Sequence, residues 1–103
     1  MNASQYHELV DAQWITIEAG IDESGADIDY EISENVLSID FKDRSQIIIN
    51  RQEAISEIWL ASKFGGFHFT YTNNKWLCSK TGTEFMDIVK QECSKHADKE
   101  VSW

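Results

Sequence analysis

Residues 27–41 read DIDYEISENVLSIDF. Ile28, Tyr30 and Ile32 alternate with Asp27, Asp29 and Glu31; beyond Glu34-Asn35, Leu37, Ile39 and Phe41 alternate with Ser38 and Asp40. Successive side chains of a strand point to opposite faces, so each half of the stretch has one apolar and one polar face. Two such strands joined by two turn-forming residues form an antiparallel hairpin.

The pattern continues outward in both directions. SQIIINRQ (45–52), ISEIWLAS (55–62), GFHFTY (66–71) and KWLCS (75–79) extend the meander, with breaks expected at Lys42–Ser45, Glu53-Ala54, Gly65-Gly66 and Asn73-Asn74. Before it, Tyr6, Leu9, Val10, Gln13, Trp14, Ile17 and Ile21 recur at helical spacing, predicting a helix over about 3–22. Asn2 or Ser4 would cap it and Gly20 would sit near its end, while Ile15 falls on the outward face. After the meander, Thr81 and Glu84 fit a capping box, and Phe85, Ile88, Val89 and Cys93 form the inner stripe of a second helix. The expected fold is α+β: a two-layer sandwich whose antiparallel sheet of about six strands carries both helices on one face.

At 103 residues and 42% apolar composition, the chain fits one globular domain over 1–103. No apolar run reaches the ~18 residues of a membrane span, and MNASQYHELV lacks the basic start and apolar core of a secretory signal. Cys78 and Cys93 show no CxxC spacing, so two reduced thiols and a cytoplasmic location are expected.

Net charge is −9, and its distribution matters more. Residues 1–41 contain ten acids and no Lys or Arg, whereas residues 42–103 hold nine basic residues against eight acids. Such a field repels nucleic acid and anionic lipid, and attracts cations or a basic protein face. His7, Asp11, Glu18 and Asp22 fall within an arc of about 60° on the first helix, taken at ~100° per residue. Glu23 continues the arc, and Asp27, Asp29 and Glu31 form the polar face of the first strand. If that strand is at the sheet edge beside the helix, the two sets merge into one acidic ridge. Carboxylates with one imidazole suit Fe, Mn, Mg or Ca, held weakly and with water retained; a merely solvated face is the alternative. The D-x-D-x-D-G spacing of an EF-hand is missing, as are a nucleophile elbow, a P-loop and HExxH, so no enzymatic activity is expected. His68 is expected on the solvent face of the sheet, and His96 in the last turn of the second helix needs no functional reading.

With Ile58 and Leu60 turned inward, Trp59 points to the open sheet face, as do Asn50 and Gln52 on the neighbouring strand. An exposed tryptophan flanked by amides suits an interface anchor.

IIINRQEAISEIWLAS, GGFHF, KWLCSKTGTEF, the N-terminal YHELVDAQWITIE and the closing VSW closely resemble the frataxin family, its bacterial branch in particular. The resemblance runs essentially end to end. It departs at Ala54, where the family usually has proline, and at Ala19 and Gly20, where charged residues are common. It implies reversible binding of Fe(II) and Fe(III), with other divalent cations accommodated, by Asp11, Glu18, Asp22, Glu23, Asp27, Asp29 and Glu31, with His7 at the ridge's start. It further implies docking on the cysteine desulfurase of the Isc system and its scaffold complex through Glu18, Asp22, Asn50, Gln52 and Trp59. The function so implied is iron-responsive modulation of iron–sulfur cluster assembly by a monomer, with oligomers forming on iron. An iron chaperone, store or ferroxidase is the second reading, and an acidic mimic of nucleic acid the third.

Overall fold

Asn2 starts the first helix: its side chain accepts the Gln5 backbone N–H at 2.8 Å while the Gln5 side chain accepts the Asn2 N–H at 3.1 Å. The two orphan donors of the first turn are thereby satisfied reciprocally. The computed structural model describes residues 1–97 and Val101; Ser102 and Trp103 of the VSW stretch lie outside the described residues. Helix α1 spans Ala3–Ser24, runs past Gly20, and ends at Gly25 in the left-handed region, φ 66°. The strands are β1 (Ile28–Ser33), β2 (Val36–Phe41), β3 (Gln46–Gln52), β4 (Glu57–Ser62), β5 (Gly65–Thr72) and β6 (Lys75–Cys78). A single 3-10 turn at Glu53–Ile55 separates β3 from β4, and helix α2 spans Phe85–Ala97.

The sheet is an antiparallel meander in the order β1-β2-β3-β4-β5-β6, with β1 at one edge. Both helices lie on the same face, burying Tyr6, Val10, Trp14, Ile17 and Ile21 of α1 and Phe85, Ile88, Val89 and Cys93 of α2. Leu37, Ile39, Ile47, Ile49, Ile58, Leu60 and Phe69 meet them from the sheet. Ile15 is 65% exposed, in keeping with its outward position.

Three local expectations are corrected. Gly65 and Gly66 belong to β5, because Ser62 pairs with Gly65 and Ala61 with Gly66, so the two-residue turn is Lys63-Phe64. The Thr81–Glu84 capping box does not form. The helix begins at Phe85, Glu84 pairs as an isolated bridge with Leu77, and the Thr81 hydroxyl donates to Thr83 Oγ1. Ile32 is 44% exposed although its alternation points it inward: at the far end of an edge strand, the two helices no longer cover the sheet.

Candidate functional site: the acidic edge and the open sheet face

With β1 at the edge and α1 packed beside it, the condition for a continuous acidic ridge is met. The two elements are tied where the Tyr30 hydroxyl donates to Asp22 Oδ2 at 3.3 Å. The Tyr30 phenol titrates above its ordinary value, through desolvation against the helix and then the Asp22 and Glu18 charges. It therefore stays a donor. Asp22, Glu23, Asp27, Asp29 and Glu31 are exposed and Glu18 is half-buried. Asp27 reaches Lys42 only at 4.0 Å, with both side chains largely in solvent. Such a pair contributes little.

The register adds a residue that sequence reasoning did not select. Asp29 sits directly opposite Asp40 of β2, so two carboxylates face each other across the first ladder. Gln46 relieves part of this, its side-chain amide donating to Asp40 Oδ1 at 2.6 Å. Like charges directly opposite cost stability.

His7 and Asp11 are placed differently from the other six. Alternation in β3 puts Ile47, Ile49 and then Arg51 on the helix-facing side, and only 8% of the Arg51 side chain remains exposed. Its guanidinium lies 4.3 Å from the centre of the Trp14 ring, donates from Nη1 to His7 Nδ1 at 2.7 Å, and donates from Nη2 to Asp11 Oδ1. His7 Nε2 in turn faces Glu53 Oε1 at 2.8 Å. The positive charge missing from the first 41 residues thus arrives in space from β3. The period-two pattern IINRQ already carried this signal, since it turns Arg51 toward the helices.

No three His, Cys, Asp or Glu side chains among the described residues converge closely enough to hold an ion. Exposed carboxylates acting singly or in pairs suit a hard cation that keeps most of its water. Iron fits the donor set on those terms.

On the open face, Asn50, Trp59 and His68 are consecutive partners across β3, β4 and β5. The Trp59 indole N–H donates to Glu57 Oε1 at 2.7 Å, and its ring stacks on His68. Gln52 is half-buried on the same face, one pair along, opposite Glu57. Val36 and Ser33 continue the Asn50–Trp59–His68 row to β1, so Asp29 and Glu31 share the open face with the tryptophan, whereas Glu18 and Asp22 of α1 lie across the β1 edge on the helix side. His96 is buried, unlike the ordinary helix-end histidine expected: Nδ1 lies 2.7 Å from Ser45 Oγ and the ring stacks on Phe41. Cys78 and Cys93 are free and buried. No helix among the described residues is long and apolar enough to cross a membrane.

The family model for the frataxin-like domain matches residues 1–99. The iron-sulfur cluster assembly protein CyaY of Vibrio parahaemolyticus is 63% identical over 103 residues, covering 100% of this chain and 99% of the relative. The protein of the same name from Vibrio cholerae is 59% identical over the same span, again 100% and 99% of the two chains. Among solved structures, frataxin from Psychromonas ingrahamii superposes with a TM-score of 0.92 at 35% identity, covering 99% of this chain and 97% of that one. Trimeric frataxin from Saccharomyces cerevisiae, complexed with ferrous iron, gives a TM-score of 0.73 at 28% identity, with 91% and 86% covered. The two-helix, six-strand architecture thus belongs to a known lineage, and this chain is a member of the frataxin family.

Proposed function

We propose that this protein modulates iron–sulfur cluster assembly by docking on the cysteine desulfurase of the Isc system, with reversibly bound iron altering that docking. One observation carries the reading: Asp29 and Glu31 of β1 lie on the same sheet face as the Asn50–Trp59–His68 row. A partner with a basic face would meet Asp29 and Glu31 on the open face and, around the β1 edge, Glu18 and Asp22 electrostatically, and would seat Trp59 as its anchor beside Asn50 and Gln52. Iron on the same carboxylates would reduce their charge and weaken that steering. The names of the Vibrio relatives and the ferrous complex of the yeast protein support the pathway and the metal.

The proposal contains no enzymatic step. Ferroxidation needs a preorganised iron pair bridged by carboxylates, and the described residues spread theirs along the surface. A monomer in the cytoplasm, where buried thiols such as Cys78 and Cys93 stay reduced, completes the reading. The test is cluster growth on the scaffold by desulfurase, with and without this protein, across an iron titration. The expected result is slowed growth whose extent varies with iron. Identical rates with and without the protein at every iron level would refute the proposal.

A further inference from the structure

We infer that Arg51 divides the acidic ridge, withdrawing His7 and Asp11 from metal binding and confining bound cations to the carboxylates from Glu18 to Glu31. The inference rests on the reading of the ridge as a cation-binding surface and changes which residues of it are competent.

At His7 the ring lone pairs decide. A guanidinium has no acceptor, so the 2.7 Å contact requires Arg51 Nη1 to donate and His7 Nδ1 to be bare. Nε2 then carries the ring proton and donates it to Glu53 at 2.8 Å. Metal ligation needs a bare ring nitrogen, and the one His7 possesses already accepts from Arg51.

At Asp11 charge decides. Asp11 is the direct counter-charge of a guanidinium that is 8% exposed and packed on Trp14. Drawing Asp11 onto a metal leaves a buried cation unpaired, which proteins tolerate poorly. The second oxygen of Asp11 remains accessible, but an ion there would sit one carboxylate away from the guanidinium and share a charge already neutralised. By contrast, Glu18, Asp29 and Glu31 enter no ion pair among the described residues, and Asp22 holds only the Tyr30 phenol. The helix-start end of the ridge is therefore an internal ion-pair network, and the strand end is the metal surface.

Paramagnetic broadening by Mn²⁺ in the 15N-labelled full chain tests this. Asp11 and Asp22 are ~16 Å apart along the helix at ~1.5 Å per residue, a separation that the steep distance dependence of broadening resolves. At low Mn²⁺ the broadening should centre on residues 18–31, while the His7 ring nitrogens keep the Nε2–H pattern. Arg51→Met should move a second centre onto His7 and Asp11. Should that variant fail to fold, Asp11→Asn is expected to leave Mn²⁺ affinity within about twofold, whereas Asp22→Asn weakens it about tenfold. Broadening centred first on His7 and Asp11 in the unaltered chain overturns this partition alone. Absence of broadening anywhere overturns the cation-binding reading of the ridge, and the partition with it.

Discussion

The Trp59 indole lies flat on the His68 imidazole, with ring centroids 4.2 Å apart and planes 7° from parallel. Glu57 holds the indole N–H at 2.7 Å, so the ring is fixed at both its face and its polar corner. A large side chain already held in one rotamer loses little freedom on binding, which makes it an efficient anchor. Trp59→Ala should weaken desulfurase binding by about 2 kcal/mol or more, as central aromatic anchors do. His68→Ala should cost less, about 0.5–1 kcal/mol, through loss of the stacking that orders the indole. Fluorescence anisotropy with labelled protein measures both, and an unchanged Kd for Trp59→Ala would remove Trp59 from the interface.

His96 makes stability depend on pH. Burial, and next the Lys63 charge, lower its pKa below the usual 6.5, against the opposing pull of Glu92 and Asp43. Nδ1 is engaged by Ser45, and Nε2 is buried without a partner among the described residues, so protonation would bury an N–H with no acceptor. Between the folded and unfolded values the unfolded chain binds more protons, so stability rises with pH through that window and falls as pH drops below about 6.5. Asp43, held far below the usual carboxylate range by the Ser45 hydroxyl and Lys63, stays ionised throughout and does not contribute there. Urea midpoints at about pH 5 and pH 7.5 should differ in the native chain and converge in His96→Gln. Equal slopes in the two proteins would contradict the assignment.

The strands were legible because each carries its own alternation: DIDYEIS and VLSIDF declare their faces without reference to anything else. The site was less so, for reasons of distance along the chain. His7 and Asp11 read as free ligands because their partners, Arg51 and Glu53, lie 40 or more residues away. The Trp59–His68 stack depends on the β4–β5 register, which the turn determines. Placing the turn at Gly65-Gly66 instead of Lys63-Phe64 conceals that pairing. Thr81 and Glu84 show the converse failure: a local motif lost to tertiary structure, because Glu84 is taken by Leu77 of β6 and by Lys75 at 3.4 Å.

The two thiols should differ in reactivity. Burial, with a smaller contribution from Glu92, pushes Cys93 up to about 12, and the residue is 1% exposed. At Cys78 burial also raises the pKa, but the Thr81 hydroxyl, nearby backbone groups and Lys80 outweigh it and the thiol is lowered. A disulfide reagent at neutral pH should therefore modify Cys78 first and reach Cys93 only on unfolding. Mass mapping of the singly modified protein decides this, and early labelling at Cys93 would contradict it.

Glu92 is 1% exposed, and the Ser62 hydroxyl and Lys95, at 3.3 Å, are its polar partners. Lys95 is itself half in solvent, so the Ser62 bond at the tip of β4 is the better shielded of the two. Removing a donor from a buried carboxylate incurs the desolvation penalty of the group left behind, whereas removing both partners together need not. Ser62→Ala alone should destabilise by about 1–3 kcal/mol, and the Ser62→Ala/Glu92→Leu pair by distinctly less than the sum of the two single changes. Urea unfolding of the four proteins in the cycle measures the coupling. Strict additivity would mean that the hydroxyl and the carboxylate do not stabilise one another, and that α2 is held to the β4–β5 turn by apolar packing alone.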